Sequence, residues 1–358
     1  KIAIIPTGSE LVPVGTTPKP GSIIEFNSLM LSAMAESWGA QAKRYLPIPD
    51  DYERLKTTLL EAVSDSDIVA INAGSSAGSE DYTAKLVEDS GQLLVHGAAL
   101  RPGHPVVLGI VNGKPVLGIP GYPVSASLTF EIFVKPLVER MLGVPTNISQ
   151  QIEATLSRKI PSTLGDDEYI RVKLGKVSNK MIATPIRRGA GVIMSMVQAD
   201  GLILIPRFVE GISAGEKITV NLLRSLEEIK RTIVIIGSHD VTLDLLASEL
   251  RRMDQNISLA SSNVGSLGGL LSLSRKECHL SGTHLLDEET GQYNLSFLKH
   301  HVKNEPMMLI GFVKRLQGLI VPRGNPKNIS SLQDLIHNNL IFVNRQRGSG
   351  TRVLLDYK

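Results

Sequence analysis

The sequence predicts an α/β protein built from a three-layer α/β domain, a small β-rich domain and a second α/β domain. Residues 1–146 alternate short apolar runs with segments of helical periodicity, which is typical of a parallel sheet covered by helices. Residues 147–223 contain short β-rich segments between Gly, Pro and Asp turns. A new strand-then-helix pattern begins near residue 231. A chain of 358 residues is long enough for two or three such domains.

Composition excludes several classes of protein. The formal charge is +3, from 38 basic and 35 acidic residues, and the absence of a long basic run argues against nucleic acid as a partner. The single cysteine, Cys278, rules out an internal disulfide and favours a reducing compartment. No signal peptide or bilayer-length apolar run is visible, so we expect a cytoplasmic protein without a membrane partner.

The first two strands place polar residues at their carboxyl ends. Residues 2–5 form a buried strand, and the turn after it presents Thr7 and Glu10. Residues 42–46 form the second strand, after which Asp50 precedes a helical pattern. Asp50 therefore either caps that helix or joins Glu10 and Asp81 as a third carboxylate at the strand ends, and its position favours the cap. An earlier helix is expected to be capped by Asn27 or Ser28.

The central motif is residues 72–83 (NAGSSAGSEDYT), directly after the apolar run 68–71. A buried strand that breaks into small residues and turns helical leaves free backbone N–H groups, which bind anions. Asp81 places a carboxylate beside this anion site, as in metal-assisted reactions of phosphorylated ligands. A tight turn in which Ser and Asp merely cap the helix is the alternative, and this motif alone does not decide between the two.

A hairpin and a second cradle follow. Asn112-Gly113 between two apolar runs predicts a hairpin of residues 106–110 with residues 115–119. After it, Gly121 permits close backbone approach, Pro123 suits a first helical turn, and Ser125 places a hydroxyl at the same helix start. These residues predict a second site for an anion or a polar ring.

Four motifs together resemble a known family. Residues 6–11 (PTGSEL), 73–82 (AGSSAGSEDY), 101–105 (RPGHP) and 118–125 (GIPGYPVS) resemble, in order and spacing, the pterin-binding domain of molybdopterin molybdenumtransferases. The family commonly has Gly-Gly-Val-Ser at residues 73–76, Lys at Arg101 and Asn at Tyr122. The first difference keeps small residues and the second keeps the positive charge.

The resemblance implies Mg-dependent insertion of molybdenum from molybdate into adenylylated molybdopterin, with release of AMP. It implies Glu10, Asp50 and Asp81 as catalytic residues, with Asp50 and Asp81 as metal ligands. The substrate-binding residues that it implies are Thr7, Gly74, Ser75, Ser76, Gly78, Arg101, Pro120, Gly121, Pro123 and Ser125. It also implies a homodimer, further domains before Lys1, and possible contact with molybdopterin adenylyltransferase.

Charge limits what these carboxylates do. Molybdate is a dianion, so a cation must separate it from bare carboxylates, or a carboxylate must be protonated. We therefore expect Asp50 and Asp81 to serve the metal and Glu10 to transfer a proton. Arg101 would supply positive charge to the substrate.

The β-rich domain is expected to be a small barrel or sandwich. Its strands are predicted over residues 151–156, 169–174, 181–185, 201–206 and 217–222. The same family carries such a domain directly after the pterin-binding one. Arg171, Arg187 and Arg188 either face an anionic substrate or are solvated surface charges, and the sequence favours surface charge.

The terminal region repeats strand ends that feed helices through hydroxyl-rich turns. Residues 237–358 resemble a type-2 periplasmic-binding-protein-like domain found fused to some molybdopterin molybdenumtransferases, and the fold is expected to be cut short at Lys358. Such domains bind small oxyanions with neutral N–H and O–H donors in a cleft. Our candidate donors are Ser238, Ser262, Ser266, Thr283, Ser349 and Thr351.

The predicted domains are residues 1–146 (molybdopterin-binding), 147–223 (small barrel) and 231–358 (periplasmic-binding-protein-like), joined by a charged linker. Two other functions stay open. The chain could be a ligand-binding regulator with an inactive enzyme-like half, although it keeps Glu10, Asp50 and Asp81. It could also be a molybdopterin adenylyltransferase, but that enzyme lacks the barrel domain.

Overall fold

A computed structural model describes residues 1–73, 82–145, 150–186, 188–302, 306–337, 340–346 and 349–358. The chain divides into two compact units. One contains residues 1–176 and 181–231, and the other contains residues 177–180 and 232–358. The three domain ranges predicted from the sequence stay a prediction.

The first part of the first unit is an α/β fold. Its strands are β1 (Ile2–Thr7), β2 (Leu11–Pro13), β3 (Ile23–Glu25), β4 (Ala42–Arg44), β5 (Ile68–Ala73), β6 (Gln92–His96), β7 (Leu100–Arg101), β8 (Val107–Val111) and β9 (Lys114–Pro120). Its helices are α1 (Asn27–Ser37), α2 (Tyr52–Asp65), α3 (Tyr82–Ser90), α4 (Pro123–Thr129) and α5 (Lys135–Leu142), with a π-helical turn over Phe130–Val134.

The main sheet has helices on both faces. Its strand order is β4-β1-β5-β9-β8-β6, and β4, β1, β5 and β9 run parallel. Because side chains alternate along a strand, Ala3 and Ile5 pack with α2 and α3 on one face. Ile2 and Ile4 pack with α1, α4 and α5 on the other face. The predicted three-layer α/β fold is thereby confirmed.

Local signals in the sequence were mostly reliable. The Asn112-Gly113 hairpin is confirmed, since β8 pairs antiparallel with β9 and both turn residues have positive φ, 49° and 75°. Pro123 occupies the first turn of α4 as predicted. The predicted cap of α1 is wrong, because the carboxylate of Glu25 accepts the N–H of Ser28 (2.7 Å) instead.

A closed barrel follows in the same unit. Its elements are β10 (Gln151–Leu156), β11 (Ile160–Pro161), β12 (Asp167–Val177), β13 (Lys180–Pro185), α6 (Met194–Gln198), β14 (Gly201–Ile205), β15 (Gly211–Ile212), β16 (Lys217–Leu222) and α7 (Leu226–Ile229). The order β13-β10-β16-β14-β12 closes because β12 also pairs with β13. Ile170, Val172 and Leu174 alternate into its core, and Ile229 of the charged linker packs there too. This confirms the predicted barrel.

The second unit is a smaller α/β fold. It contains β17 (Thr232–Gly237), α8 (Thr242–Met253), β18 (Ser258–Asn263), α9 (Gly265–Ser274), α10 (Leu295–His301), α11 (Asp334–His337) and α12 (Gly350–Tyr357). β17 and β18 pair in parallel, as the repeated strand-then-helix pattern predicts. None of the helices in the described ranges is long and apolar enough to cross a membrane.

Candidate functional site

Three of the predicted site segments end in one row across the main sheet. Thr7 at the end of β1 pairs with Ala73 at the end of β5, and Ala73 pairs with Pro120 at the end of β9. Ile48 forms a bridge to Thr7 from the other side. The strand ends that carry the predicted motifs are therefore neighbours at the carboxyl edge of the sheet, where open α/β sheets bind ligands.

A reciprocal pair of hydrogen bonds fixes Asp50 at this edge. Asp50 Oδ2 accepts the backbone N–H of Ser9 (3.1 Å), and the backbone N–H of Asp50 donates to Ser9 Oγ (3.1 Å). The expected capping role of Asp50 is wrong, because the side chain of Asp51 caps α2 by accepting the N–H of Arg54 (3.0 Å). Asp50 is thus free of the helix and held beside the loop that carries Glu10.

Glu10 lies at the base of the same loop. A Cβ on Gly8 would come within 2.9 Å of Glu10 Oε2, so the carboxylate packs against the bare backbone of Gly8. Gly8 also has a positive φ of 150°, which disfavours any other residue there. Within the described ranges the structure shows no hydrogen bond to the carboxylate of half-buried Glu10. The described part of the fold therefore does not engage this carboxylate.

A buried network of amides, which the sequence analysis missed, joins the strand ends to α1. Asn72, 3% exposed, donates from Nδ2 to the carbonyls of Ile119 (3.2 Å) and Pro120 (3.0 Å). Asn27 Nδ2 donates to Asn72 Oδ1 (3.0 Å) and to the carbonyl of Gly121 (2.6 Å). The network holds the Pro120–Gly121 turn in place. A signal for this network exists in the sequence, because a polar Asn72 within the apolar strand 68–73 needs hydrogen-bond partners when it is buried.

Arg101 is held by the barrel. Its guanidinium donates to Thr163 Oγ1 (2.6 Å) and to Asp166 Oδ2 (3.0 Å), while His104 Nδ1 lies 3.4 Å from Asp166 Oδ1. β7 also pairs with β12. Because β6 runs in the same direction as β9, the segment that leads from β6 to Arg101 starts at the carboxyl edge. The carboxylate of Asp166 therefore offsets part of the positive charge of Arg101, which we expected to act on the substrate.

The predicted second cradle is partly used by the barrel. The N–H of Val124, at the start of α4, donates to the carbonyl of Ala190 (2.9 Å). Ser127 Oγ lies 3.1 Å from the sulfur of Met196. Ser125 is buried, at 5% exposure. The start of α4 therefore packs against the barrel domain, and the second cradle stays a prediction.

Arg171 differs from the expected surface charge. It is 8% exposed, and its Nε has no hydrogen-bond partner within the described ranges. Burial lowers the pKa of its guanidinium below the ordinary value. Arg188, in contrast, donates to the buried carboxylate of Glu168 (3.2 Å), and Arg187 lies outside the described residues. A buried cation with an open donor is suited to an anionic ligand.

Several predicted residues fall outside the described ranges, namely Gly74, Ser75, Ser76, Gly78 and Asp81. They connect β5 to α3, and β5 ends in the row described above. Within the described ranges no group of three or more His, Cys, Asp or Glu side chains could hold a metal. Asp50 and Glu10 are the predicted carboxylates that the structure places.

In the second unit, the predicted hydroxyl residues lie on converging segments. The N–H of Ser238 donates to the carbonyl of Gly282 (2.8 Å), and the N–H of His284 donates to Ser266 Oγ (3.1 Å). A Cβ on Gly350 would be 2.4 Å from His284 Nε2, so the start of α12 touches this imidazole. Loops after β17 and β18 therefore meet residues 281–284 and α12.

Some of those hydroxyls already have partners. Thr283 Oγ1 donates to Asn294 Oδ1 (3.1 Å), and Ser349 Oγ caps α12 by accepting the N–H of Arg352 (3.4 Å). Ser262 is buried in β18, Ser238 is half-buried, and Thr351 is exposed on α12. The hydroxyls of Thr283 and Ser349 are engaged within the fold, so they are less available to a ligand than the hydroxyl of Ser238, which does not cap a helix.

Arg315 adds a cation that the sequence analysis did not single out. Its Nε donates to Asp240 Oδ2 (2.7 Å) and its Nη2 to the carbonyl of His239 (2.8 Å). Hydrogen bonds from Thr242, with a smaller effect of Arg315, lower the pKa of Asp240 to about 2. Burial, and then Arg315, lower the pKa of His284, so its imidazole is neutral near pH 7.

Comparison with known families gives three matches along the chain. Residues 3–140 match the family described as "Probable molybdopterin binding domain". Residues 153–223 match "MoeA C-terminal region (domain IV)", and residues 247–358 match "PBP superfamily domain".

Relatives and solved structures agree over the first two domains. A Methanocaldococcus jannaschii protein whose name assigns it to molybdopterin biosynthesis is 36% identical over 231 residues, which are 62% of this chain and 54% of that protein. A molybdopterin molybdenumtransferase of Staphylococcus epidermidis is 30% identical over 227 residues, covering 63% and 54%. The crystal structure of a molybdopterin biosynthesis moeA protein from Pyrococcus horikosii has a TM-score of 0.54 at 35% identity, covering 63% of this chain and 54% of that one.

The chain thus spans about half the length of the relatives it matches. The resemblance that its four motifs predict is confirmed: over residues 3–223 the chain is similar in sequence to molybdopterin molybdenumtransferases and in fold to a moeA protein, and residues 247–358 match the PBP superfamily domain.

Proposed function

We propose that this protein is an enzyme of molybdenum cofactor biosynthesis that transfers molybdenum from molybdate to adenylylated molybdopterin and releases AMP. One observation carries the proposal. The row Ile48–Thr7–Ala73–Pro120 brings the segments of Asp50, Glu10 and the Pro120–Gly121 turn to one edge of the sheet. The family relatives support the same reaction.

Magnesium fits the donor set that we assign to this edge. Asp50 Oδ2 is taken by Ser9, whereas its Oδ1 has no hydrogen-bond partner within the described ranges. Carboxylate oxygens are the ligands that Mg²⁺ prefers. We propose that Asp50 and Asp81 hold the ion, which would neutralise negative charge on the adenylyl phosphate and allow molybdate to approach.

The other residues bind and orient the substrate in this proposal. Thr163 and Asp166 fix the guanidinium of Arg101, and its remaining donors would bind a phosphate of the substrate. The Pro120–Gly121 turn and Pro123 shape the pocket, and Glu10 transfers a proton at the departing or entering oxygen. Thr7, Gly121 and Ser125 complete the wall of the site in this proposal.

For the second unit we propose binding of a small oxyanion, either as a supply of molybdate or as a sensor. Support comes from the convergence of Ser238, Ser266 and Thr283 with the start of α12, next to the cation Arg315. A homodimer, a cytoplasmic location and contact with molybdopterin adenylyltransferase stay predictions of the resemblance.

The test of this function is release of AMP. The full-length protein is incubated with adenylylated molybdopterin, Mg²⁺ and molybdate, and AMP is measured by chromatography. We expect release that stops when EDTA removes the metal and returns when excess Mg²⁺ is added. Release no faster than without protein, from folded protein, would contradict the proposal. Calorimetry with molybdate, tungstate and sulfate, compared between wild type and Ser238→Ala, tests the second unit, because Ser238 lies outside the first unit.

A further inference from the structure

The side chain of Asn27 has its orientation fixed by its partners. Asn72 uses both N–H bonds of Nδ2 on the carbonyls of Ile119 and Pro120, so its Oδ1 must face Asn27 as an acceptor. Asn27 therefore turns its own Nδ2 toward Asn72 Oδ1 and the carbonyl of Gly121. If the amide of Asn27 were flipped, its Oδ1 would face two other acceptors, Asn72 Oδ1 and the carbonyl oxygen of Gly121. Its Oδ1 is consequently the atom left over.

That leftover oxygen is a buried acceptor. Asn27 is 8% exposed, and Oδ1 has no hydrogen-bond partner within the described ranges. A buried acceptor without a donor is unfavourable, and proteins generally satisfy such atoms. A bound ligand that offers an N–H group to Oδ1 would remove this penalty.

The surroundings indicate what kind of ligand this is. Asn27 lies against Gly121, which directly follows the row of strand ends. The next residue, Tyr122, is 54% exposed and offers an aromatic face. The site thus has a hydrogen-bond acceptor, Asn27 Oδ1, beside the backbone of Gly121 and the exposed ring of Tyr122. This combination suits a flat nitrogen heterocycle, which stacks on an aromatic ring and donates N–H groups from its edge.

We propose that Asn27 Oδ1 accepts an N–H hydrogen bond from the pterin ring and makes the site selective for rings that carry such a donor. This rests on the proposed function, because that function places a pterin at this edge. Asn72 takes the role of a positioning residue, since it acts on the ligand through Asn27 and the Pro120–Gly121 turn.

The test compares two ring compounds as probes. Pterin carries ring and exocyclic N–H donors, whereas 1,3-dimethyllumazine has a similar shape and no N–H donor. Dissociation constants of both are measured by calorimetry with the full-length protein. We expect pterin to bind at least about tenfold more tightly, because a site built around a buried acceptor rejects analogues that lack the donor. Equal affinity, or no binding of either probe, overturns the inference.

Two variants separate the acceptor from the network. Asn27→Leu removes Oδ1 and should bring the affinity ratio of the two probes close to one. Asn72→Leu disturbs the same network but keeps Oδ1, so it should weaken both probes while the ratio persists. A ratio unchanged in folded Asn27→Leu overturns the inference, and if that variant does not fold, the wild-type ratio decides. AMP release is measured independently, so the proposed function can fail or hold without this result.

Discussion

Two neighbouring aspartates have different partners, which permits a sharp test. Asp51 caps α2 through the N–H of Arg54, while Asp50 reaches back to the N–H of Ser9 at the sheet edge. We expect Asp51→Ala to lower stability and spare turnover. Asp50→Asn should leave stability nearly unchanged and reduce turnover. The Asn side chain keeps an oxygen that accepts the N–H of Ser9, but it lacks the negative charge that a metal needs.

The magnitudes follow from these contacts. Loss of an N-cap costs about 1 kcal/mol, and the N–H of Arg54 loses its acceptor in Asp51→Ala. Asp50→Asn retains an equivalent exposed hydrogen bond, so its free energy of unfolding should change by less than about 0.5 kcal/mol. Its rate of AMP release should fall at least about 100-fold, the scale of one catalytic group.

The assay uses a probe within the same domain. Trp38 is the single tryptophan, and its ring stacks on Phe130 at 5.4 Å, so its fluorescence reports unfolding of the α/β domain in urea. Each variant is measured by this titration and by AMP release. The assignment would be refuted if Asp50→Asn destabilised the domain by more than Asp51→Ala does, or if it turned over at the wild-type rate.

Three further predictions follow from single contacts. Asn72→Ala should cost about 3 kcal/mol by the same fluorescence titration, because it leaves buried hydrogen-bond partners of Asn72 unsatisfied. Half-buried Thr58→Ala on α2 should cost under about 0.5 kcal/mol, and equal losses in the two variants would contradict the network. Because burial lowers the pKa of His284, the unfolded chain binds a proton first as pH falls below about 6.5, and the folded state loses stability there. The opening free energy of β17 and α9, obtained from hydrogen exchange after correction for the intrinsic rate at each pH, should therefore fall in wild type and not in His284→Gln. Burial raises the pKa of the Cys278 thiol to about 12. A thiol reagent at pH 8 should therefore label Cys278 at least about 100-fold more slowly in native than in urea-unfolded protein. Equal labelling rates would contradict the burial of this thiol.

The elements that the sequence predicted well carry local signals. The Asn112-Gly113 turn needs positive φ at both residues, and Pro123 fits a first helical turn wherever the helix lies. The strands of the barrel were predicted from short β-rich segments between turn residues, and Ile170, Val172 and Leu174 alternate into its core. Such signals do not depend on distant parts of the chain.

The errors arose where distant residues decide. Asp50 and Asp51 could each cap α2, and the choice is set by Ser9, 41 positions earlier than Asp50. Burial of Arg171 and the bonds of Asn72 depend on which strands become neighbours, which periodicity does not reveal. Family resemblance placed the carboxylates in one site, but it did not indicate Asn27 or Asn72.

The central claim is that the carboxyl edge of the main sheet releases AMP in a reaction that consumes molybdate. The most direct measurement is AMP release by wild type and by Asp50→Asn, each with and without molybdate, with exposed Glu153→Gln of the barrel as the matched control. We predict molybdate-dependent release in wild type and Glu153→Gln, and loss of that release in Asp50→Asn. Equal release by Asp50→Asn and wild type would contradict the claim.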